Sequence, residues 1–166
     1  MGKPMRSFWP VLLLLGTGCA ARWPEGWFAP VSQKAAAPEP AGPLDLAEHR
    51  GKVALLSFWF SACPPCRAMF PHEKRLVERF QSAPFVLVGV NADDDPAQMQ
   101  AMEAKAGLTW RSRWDGKKGP LAARWQVGGY PTFVLLDKEG RERWRHVGPP
   151  PPGLLESTIA GLLAQP

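Results

Sequence analysis

The stretch Val53-Ala-Leu-Leu-Ser-Phe-Trp-Phe60-Ser-Ala-Cys63-Pro-Pro-Cys66-Arg67 decides the fold. Its first eight residues form an apolar run bounded by Gly51-Lys52 and Ser61, a length suited to a strand buried on both faces. Beyond Cys63 the period changes. Phe70, Val77 and Phe80 recur near helical spacing, which predicts a helix from Pro64 to about Gln81. A strand, a short loop and a cysteine pair opening a helix place Cys63 at the N-cap or just before it. Free backbone N–H groups and the helix dipole there favour a negative sulfur. Thiolate is the species that attacks a disulfide, and Cys66, one turn later on the same side, stands where it would resolve the resulting mixed disulfide. Pro64 suits the first helical turn, where its missing N–H has no partner to lose. Neither Pro64 nor Pro65 donates to the sulfur, so Cys66 N–H and the dipole carry the stabilisation. The Cys63 pKa is therefore expected nearer ~7 than the ~3.5 of a strong oxidant. A less favoured thiolate leaves the disulfide form relatively favoured, which points to a reductant.

Outward from this stretch, Phe85 to Val90 reads as a second buried strand and Pro96 to Ala106 as a helix. Asp93, Asp94 and Asp95 suit the positive end of that helix, and are read as a solvated cap rather than a cation site. A short helix is expected around Leu121–Trp125. Thr132 to Leu136 is a third strand, turned by Asp137-Lys-Glu-Gly140 into a hairpin partner over Arg141 to Val147. Arg141, Arg143 and Arg145 alternate along that partner, as on a charged edge strand that discourages sheet-to-sheet association. Leu154, Leu155, Ile159, Leu162 and Leu163 give the last segment one apolar face, so it is a helix packing on the sheet. The order β-α-β-α-(α)-β-β-α describes an α/β protein whose mixed sheet joins a parallel pair to a hairpin. Val127-Gly-Gly-Tyr130-Pro131-Thr132-Phe133 leads straight into the third strand. Proline is allowed as a strand's first residue, and X-Pro bonds are the ones commonly cis.

The N-terminal residues have another texture. Lys3 and Arg6 supply a positive end, Phe8 to Leu15 a short apolar run, and Gly16 to Gly18 small residues, the order of parts in a secretory signal. The run falls far short of the ~20 residues a membrane-spanning helix needs, and Pro10 argues against a buried helix. Leu15-Gly-Thr-Gly-Cys19 resembles the lipobox of bacterial lipoproteins, whose cysteine is acylated. It departs from the pattern by carrying Gly16 where Leu is preferred, so plain secretion stays open beside lipidation of Cys19. Residues 1–18 are thus expected to be a signal peptide and 19–43 an Ala/Pro-rich tether, partly extended, with the domain over 44–166.

Composition bounds the remaining classes. The chain has 166 residues, 45% of them hydrophobic, enough for one domain and an appendage. Its net charge of +5 comes from interspersed signs without a basic block, which argues against nucleic acid. Setting Cys19 aside leaves two of the three cysteines, Cys63 and Cys66, which pair with each other or stay reduced. A lone pair closing so short a loop constrains little chain, so a redox-active disulfide is favoured over a structural one. Zinc would need four ligands, and His49, His72 and His146 stand in no ligand-like pair. No metal and no organic cofactor is expected beyond the disulfide itself.

These residues together resemble thioredoxin-like proteins of the TlpA/ResA kind, the exported branch that includes cytochrome c maturation factors. The resemblance runs from about Leu44 to Ala164. It rests on Gly51-Lys52-Val53, on Ser57 through Arg67, on Phe70-Pro71, on Val88-Gly-Val-Asn91, on Tyr130-Pro131-Thr132-Phe133 and on Asp137-Lys-Glu-Gly140. It implies a thioredoxin-like three-layer sandwich and thiol–disulfide exchange with exported proteins. Cys63 would be the exposed nucleophile, Cys66 the resolving thiol and Pro131 a cis-proline whose preceding residue, Tyr130, pairs with the substrate chain. Trp59 (core and a wall of the site), Pro64 and Pro65 would complete the substrate surface. An upstream thiol donor, such as a membrane thiol carrier, would recharge the pair, and the location would be the cell envelope. Three positions depart from the family. Ala62 replaces a Trp before the first cysteine, leaving the thiol face less covered. Met69 stands where many members carry a Glu that relays protons and Ser57 where thioredoxin itself places a buried Asp, while Glu73 and His72, one turn further along the helix, are read as pointing elsewhere. Two rival functions are a thiol peroxidase, whose Arg and Thr arrangement is not found, and a copper- or haem-handling module using the reduced dithiol.

Overall fold

Seven consecutive residues with no exposed side chain, Val53–Trp59, form β1 at the centre of a five-stranded sheet. A strand covered on both faces has no polar alternation, which is why this run reads as continuously apolar. The computed structural model describes residues 46–165. The expected signal peptide and the whole of the expected tether, Cys19 included, lie outside the described residues. After a 3-10 turn at Leu46–His49 come β1, α1 (Pro64–Arg79), β2 (Phe85–Asn91), α2 (Pro96–Ala106), β3 (Arg111–Trp114), α3 (Pro120–Arg124), β4 (Thr132–Leu136), β5 (Glu142–Val147) and α4 (Leu154–Leu163). The strand order is β3-β2-β1-β4-β5. β1 runs parallel to β2 and β2 to β3, whereas β4 is antiparallel to both β1 and β5. This is the mixed sheet expected from the sequence, extended by β3, which the sequence reading missed.

The two faces of β1 divide the core. Val53 and Leu55 pack with Leu76, Phe80, Leu135, Leu155 and Ile159, contributed by α1 and its C-cap, β4 and α4. Ala54, Leu56 and Phe58 pack with Val88, Val90, Leu121, Val134 and Leu136 on the other side, beneath α3. Helices on both faces give the three layers. α1 survives an internal proline, Pro71. α2 starts on Asp95, whose carboxylate accepts from Ala97 N at 2.8 Å, and ends on Gly107 in the left-handed region at φ 59°. Asp115 accepts from Leu121 N and Ala122 N at 2.9 and 2.8 Å, satisfying the open donors at the start of α3.

The arginine row on the hairpin is largely paired. Arg141 and Arg143 reach Asp137 at 3.2 and 3.3 Å, and Arg145 reaches Glu142 at 2.9 Å. β5 is one of the two edge strands, as its alternating charge predicts. The acidic run before α2 needs correction. Asp93 is not a solvated cap residue; it is buried and accepts hydrogen bonds from Ser61 N, Ser61 Oγ and Asn91 Nδ2 at 2.9, 2.6 and 2.8 Å. It anchors the loop between β1 and the cysteines, whose own N–H and hydroxyl need an acceptor once buried.

Candidate active site

Cys63 is the N-cap of α1. Its backbone is extended, at φ −81° and ψ 107°, and its Sγ accepts a hydrogen bond from Cys66 N at 3.2 Å. Pro64 and Pro65 occupy the first two helical positions without an N–H to offer, so Cys66 N is the sulfur's nearby backbone donor. The two sulfurs are joined in a disulfide of 1.99 Å. Arg67 Nη1 donates to Ser61 O at 3.0 Å, and Asp93 holds the other side of Ser61, so the approach to Cys63 is fixed from two directions.

The structure overturns the expectation that Cys63 is exposed: it is 2% accessible and Cys66 1%. The pair sits in an apolar cluster with Trp59, Phe70 and Met99, against which Phe60 and Tyr130 also pack. Ala62 itself covers nothing, being exposed. Phe60 and Tyr130 meet edge to face at 5.3 Å and pack against the cluster that holds the pair, so the thiol face is more covered than Ala62 alone suggests. Trp59 is core as expected but, at 1% exposure, lies beneath the site rather than on its substrate surface. It meets Phe70 edge to face at 5.3 Å. Pro64 and Pro65 are exposed beside the sulfurs. The Tyr130–Pro131 peptide bond is cis, and Pro131 is buried at the entry to β4. Burial and, after it, the Asp115 carboxylate push the Tyr130 phenol up, keeping it a neutral hydrogen-bond donor.

Below the cysteines the proton-acceptor question takes a new form. Ser57 and Met69, which offer no carboxylate, are buried. Glu73 does not point elsewhere: it is 1% exposed on the inner face of α1, and its Oε1 has no hydrogen-bond partner. Burial pushes its carboxyl up to about 7, with the Ser57 hydroxyl, its polar neighbour on β1, acting weakly in the opposite direction. His72 faces away, 3.0 Å from Glu156 of α4. The signal for Glu73 was present in the spacing: Cys66, Met69, Phe70, Glu73 and Leu76 form one helical stripe, all of it buried.

A parallel β-α-β unit carrying a cysteine pair at its helix cap, joined to a hairpin entered through a cis-proline, defines a thioredoxin-like thiol–disulfide oxidoreductase. The chain belongs to the Redoxin family, whose model matches residues 25–163. It is 32% identical to the thiol:disulfide interchange protein HelX of Rhodobacter capsulatus over 130 residues, 76% of this chain and 72% of HelX. It is 30% identical to the thiol-disulfide oxidoreductase ResA of Geobacillus thermodenitrificans, over 58% of this chain and 55% of ResA, so it spans little more than half of that relative. Among solved structures it resembles a secreted disulfide oxidoreductase of Mycobacterium tuberculosis, with a TM-score of 0.59 and 25% identity over 72% of this chain and 86% of that one.

Proposed function

We propose that this oxidoreductase works as a reductant of disulfides in exported proteins, held at the cell envelope. The observation that carries the direction is the donor count at Cys63: one N–H, from Cys66, at 3.2 Å, with prolines at both intervening positions. A thiolate with fewer donors is less stabilised, the reduced form loses relative to the disulfide, and the potential falls. Export is supported by the signal-like order of Lys3, Arg6, Phe8–Leu15 and Gly16–Gly18, and Cys19 is the residue that lipidation would use. The secreted status of the mycobacterial neighbour points the same way.

In the forward cycle Cys63 thiolate attacks a substrate disulfide, forming a mixed disulfide and releasing one substrate thiolate. Cys66 then attacks Cys63 Sγ and releases the second. Two electrons pass to the substrate, and an upstream dithiol, of the kind a membrane thiol carrier presents, restores the pair. The cysteines of apocytochrome c are one substrate of the right chemistry. Tyr130 and Pro131 supply the backbone beside which an extended substrate segment would lie, with Pro64 and Pro65 as the exposed floor.

The test is the equilibrium potential of the full chain against glutathione and dithiothreitol buffers, with a Cys63→Ser control. A value near ~−270 mV or below is expected; one near ~−120 mV would make the protein an oxidant. The absence of any reversible two-electron couple would bring the metal-handling reading forward.

A further inference from the structure

Ser57, Gly89 and Ser112 stand in register on β1, β2 and β3, forming one row across the sheet. Ser57 falls between Leu55 and Trp59 in the strand's alternation, so the row faces α1. Gly89 leaves a gap in it. A Cβ placed there would stand 2.2 Å from Ser112 Oγ and 3.0 Å from Trp59 Nε1, so both polar atoms converge on bare backbone. Neither has a hydrogen-bond partner, and Glu73 Oε1, Glu103 Oε1 and Trp110 Nε1 are equally buried and unpartnered. Glu73 neighbours Ser57, as Glu103 neighbours Ser112. Each buried orphan costs ~1–3 kcal/mol, and polar atoms so grouped are the setting in which ordered water bridges protein groups.

This polar seam lies beneath the cysteine pair. Trp59 belongs to the cluster that encloses Cys66, and Glu73 lies seven residues after Cys66 on the same buried stripe of α1. Two helical turns separate them by ~10 Å along the axis, too far for direct transfer and within reach of a chain of a hydroxyl and water. The ionisable groups to be weighed are few. Glu103 on α2 is the nearest acid in the seam, half-buried, while Lys74 is drawn to Ala106 O and His72 to Glu156. Among the described residues, the state of Glu73 follows from its burial and from Ser57, with no charged group beside them.

We propose that Glu73 stores the proton that Cys66 exchanges during each turnover, conducted through Ser57 and the polar seam. The proposal rests on the thiol–disulfide exchange described above. When Cys66 resolves the mixed disulfide, its S–H proton passes to the Glu73 carboxylate. The new thiolate attacks Cys63 Sγ, the Cys63–substrate S–S bond breaks, and the electron pair leaves with the substrate sulfur. When the donor dithiol later attacks Cys63, Cys66 departs as thiolate and takes the proton back from the Glu73 carboxylic acid. One proton thus shuttles internally while two electrons cross. Glu73 acts through Ser57 and water, as a positioning and storage group that touches no substrate.

The experiment forms the Cys63 mixed disulfide with a small chromogenic thiol in the full chain and follows thiol release by stopped flow between about pH 5 and pH 9. Glu73→Gln is expected to slow release by ~10²-fold near neutrality and to remove the inflection in the wild-type pH profile, with Glu73→Asp recovering part of the rate. Alkylation of Cys63 in a Cys66→Ser background should be unchanged by the same substitution. Release within about twofold of wild type across the range would overturn the proposal while leaving the oxidoreductase reading intact. Should Glu73→Gln fail to fold, infrared difference spectra of wild type, oxidised minus reduced, decide the matter. A protonated-carboxyl band that changes with redox state supports it, and a silent carboxyl region overturns it. Wild-type protein that forms the mixed disulfide and never releases the thiol would defeat the exchange reading itself, and the proton store with it.

Discussion

Glu73 and Asp93 are both buried carboxylates, and their surroundings differ. Asp93, two residues past β2, accepts from Ser61 N, Ser61 Oγ and Asn91 Nδ2, and its backbone carbonyl accepts from Trp114 Nε1 at 2.8 Å. Glu73, under α1, has Ser57 as its polar neighbour and an oxygen left unpartnered. Both are at most 5% exposed, so burial alone does not distinguish them. Satisfaction does. A fully accepted carboxylate fixes a loop in one place, and a carboxyl short of donors is free to gain and lose a proton. The loop that Asp93 fixes delivers Cys63, and the group left short stands behind Cys66.

The largest effect is expected at Asp93. Asp93→Ala leaves Ser61 N and Asn91 Nδ2 without an acceptor, while Ser61 Oγ keeps Gln98 O at 3.1 Å, and should cost about 3 kcal/mol in denaturant unfolding. A loss below ~1 kcal/mol would show that the clamp is not structural.

Glu73→Gln should act in the opposite direction, and only at high pH. The folded-state carboxyl titrates at about 7 against 4.5 when unperturbed. Below the lower value both states are protonated and the substitution changes little. Between the two the folded chain binds the extra proton, so wild-type stability falls as pH rises through about 7. Above that, the variant should be the more stable by up to the order of 3 kcal/mol. Parallel stability–pH curves for the two proteins would remove the contrast with Asp93.

Gly89→Ala should be the next largest effect. Its Cβ would press on Ser112 Oγ and Cβ at 2.2 and 2.9 Å, costing ~1–3 kcal/mol. Pairing it with Ser112→Gly, which clears both atoms, should recover most of the loss in a double-mutant cycle. Additive losses would place the strain elsewhere.

The smallest expected effect is at the helix cap. Pro65→Ala returns an N–H at the second helical position, where an N-cap side chain finds its donor. The Cys63 thiolate should gain roughly one charge-assisted hydrogen bond, raising the potential by ~30 mV or somewhat more. An unchanged or lower potential would show that donor count does not set the direction of electron flow.

Most of the architecture was legible because its signals are local. β1, β2 and β4 are apolar runs with turn residues at their ends, and α1, α2 and α4 carry helical spacing or composition. β3 was not legible. Arg111-Ser-Arg-Trp114 is four residues long and at best half-buried, so neither alternation nor an apolar run marks it as a strand. Only its pairing with the far edge of β2 defines it. The cysteine pair, its cap position and the proline before β4 could be placed from spacing. The burial of Cys63 could not, since Phe60 and Tyr130 are brought together across 70 residues of chain. Glu73 was misread for a different reason: a charged residue on a helix is ordinarily solvent-facing, and that expectation outweighed a stripe that placed it inside.

The indole of Trp59 has one more consequence. The chain holds eight tryptophans, and Trp59 is buried in the same cluster as the Cys63–Cys66 bond. A disulfide is an efficient quencher of a neighbouring excited indole, whereas a dithiol is a weaker one. Reduction should therefore brighten the emission of Trp59, together with that of Trp110 and Trp114, which pack against the same cluster. The protein then carries its own optical readout of oxidation state, and its exchange kinetics can be followed without a label.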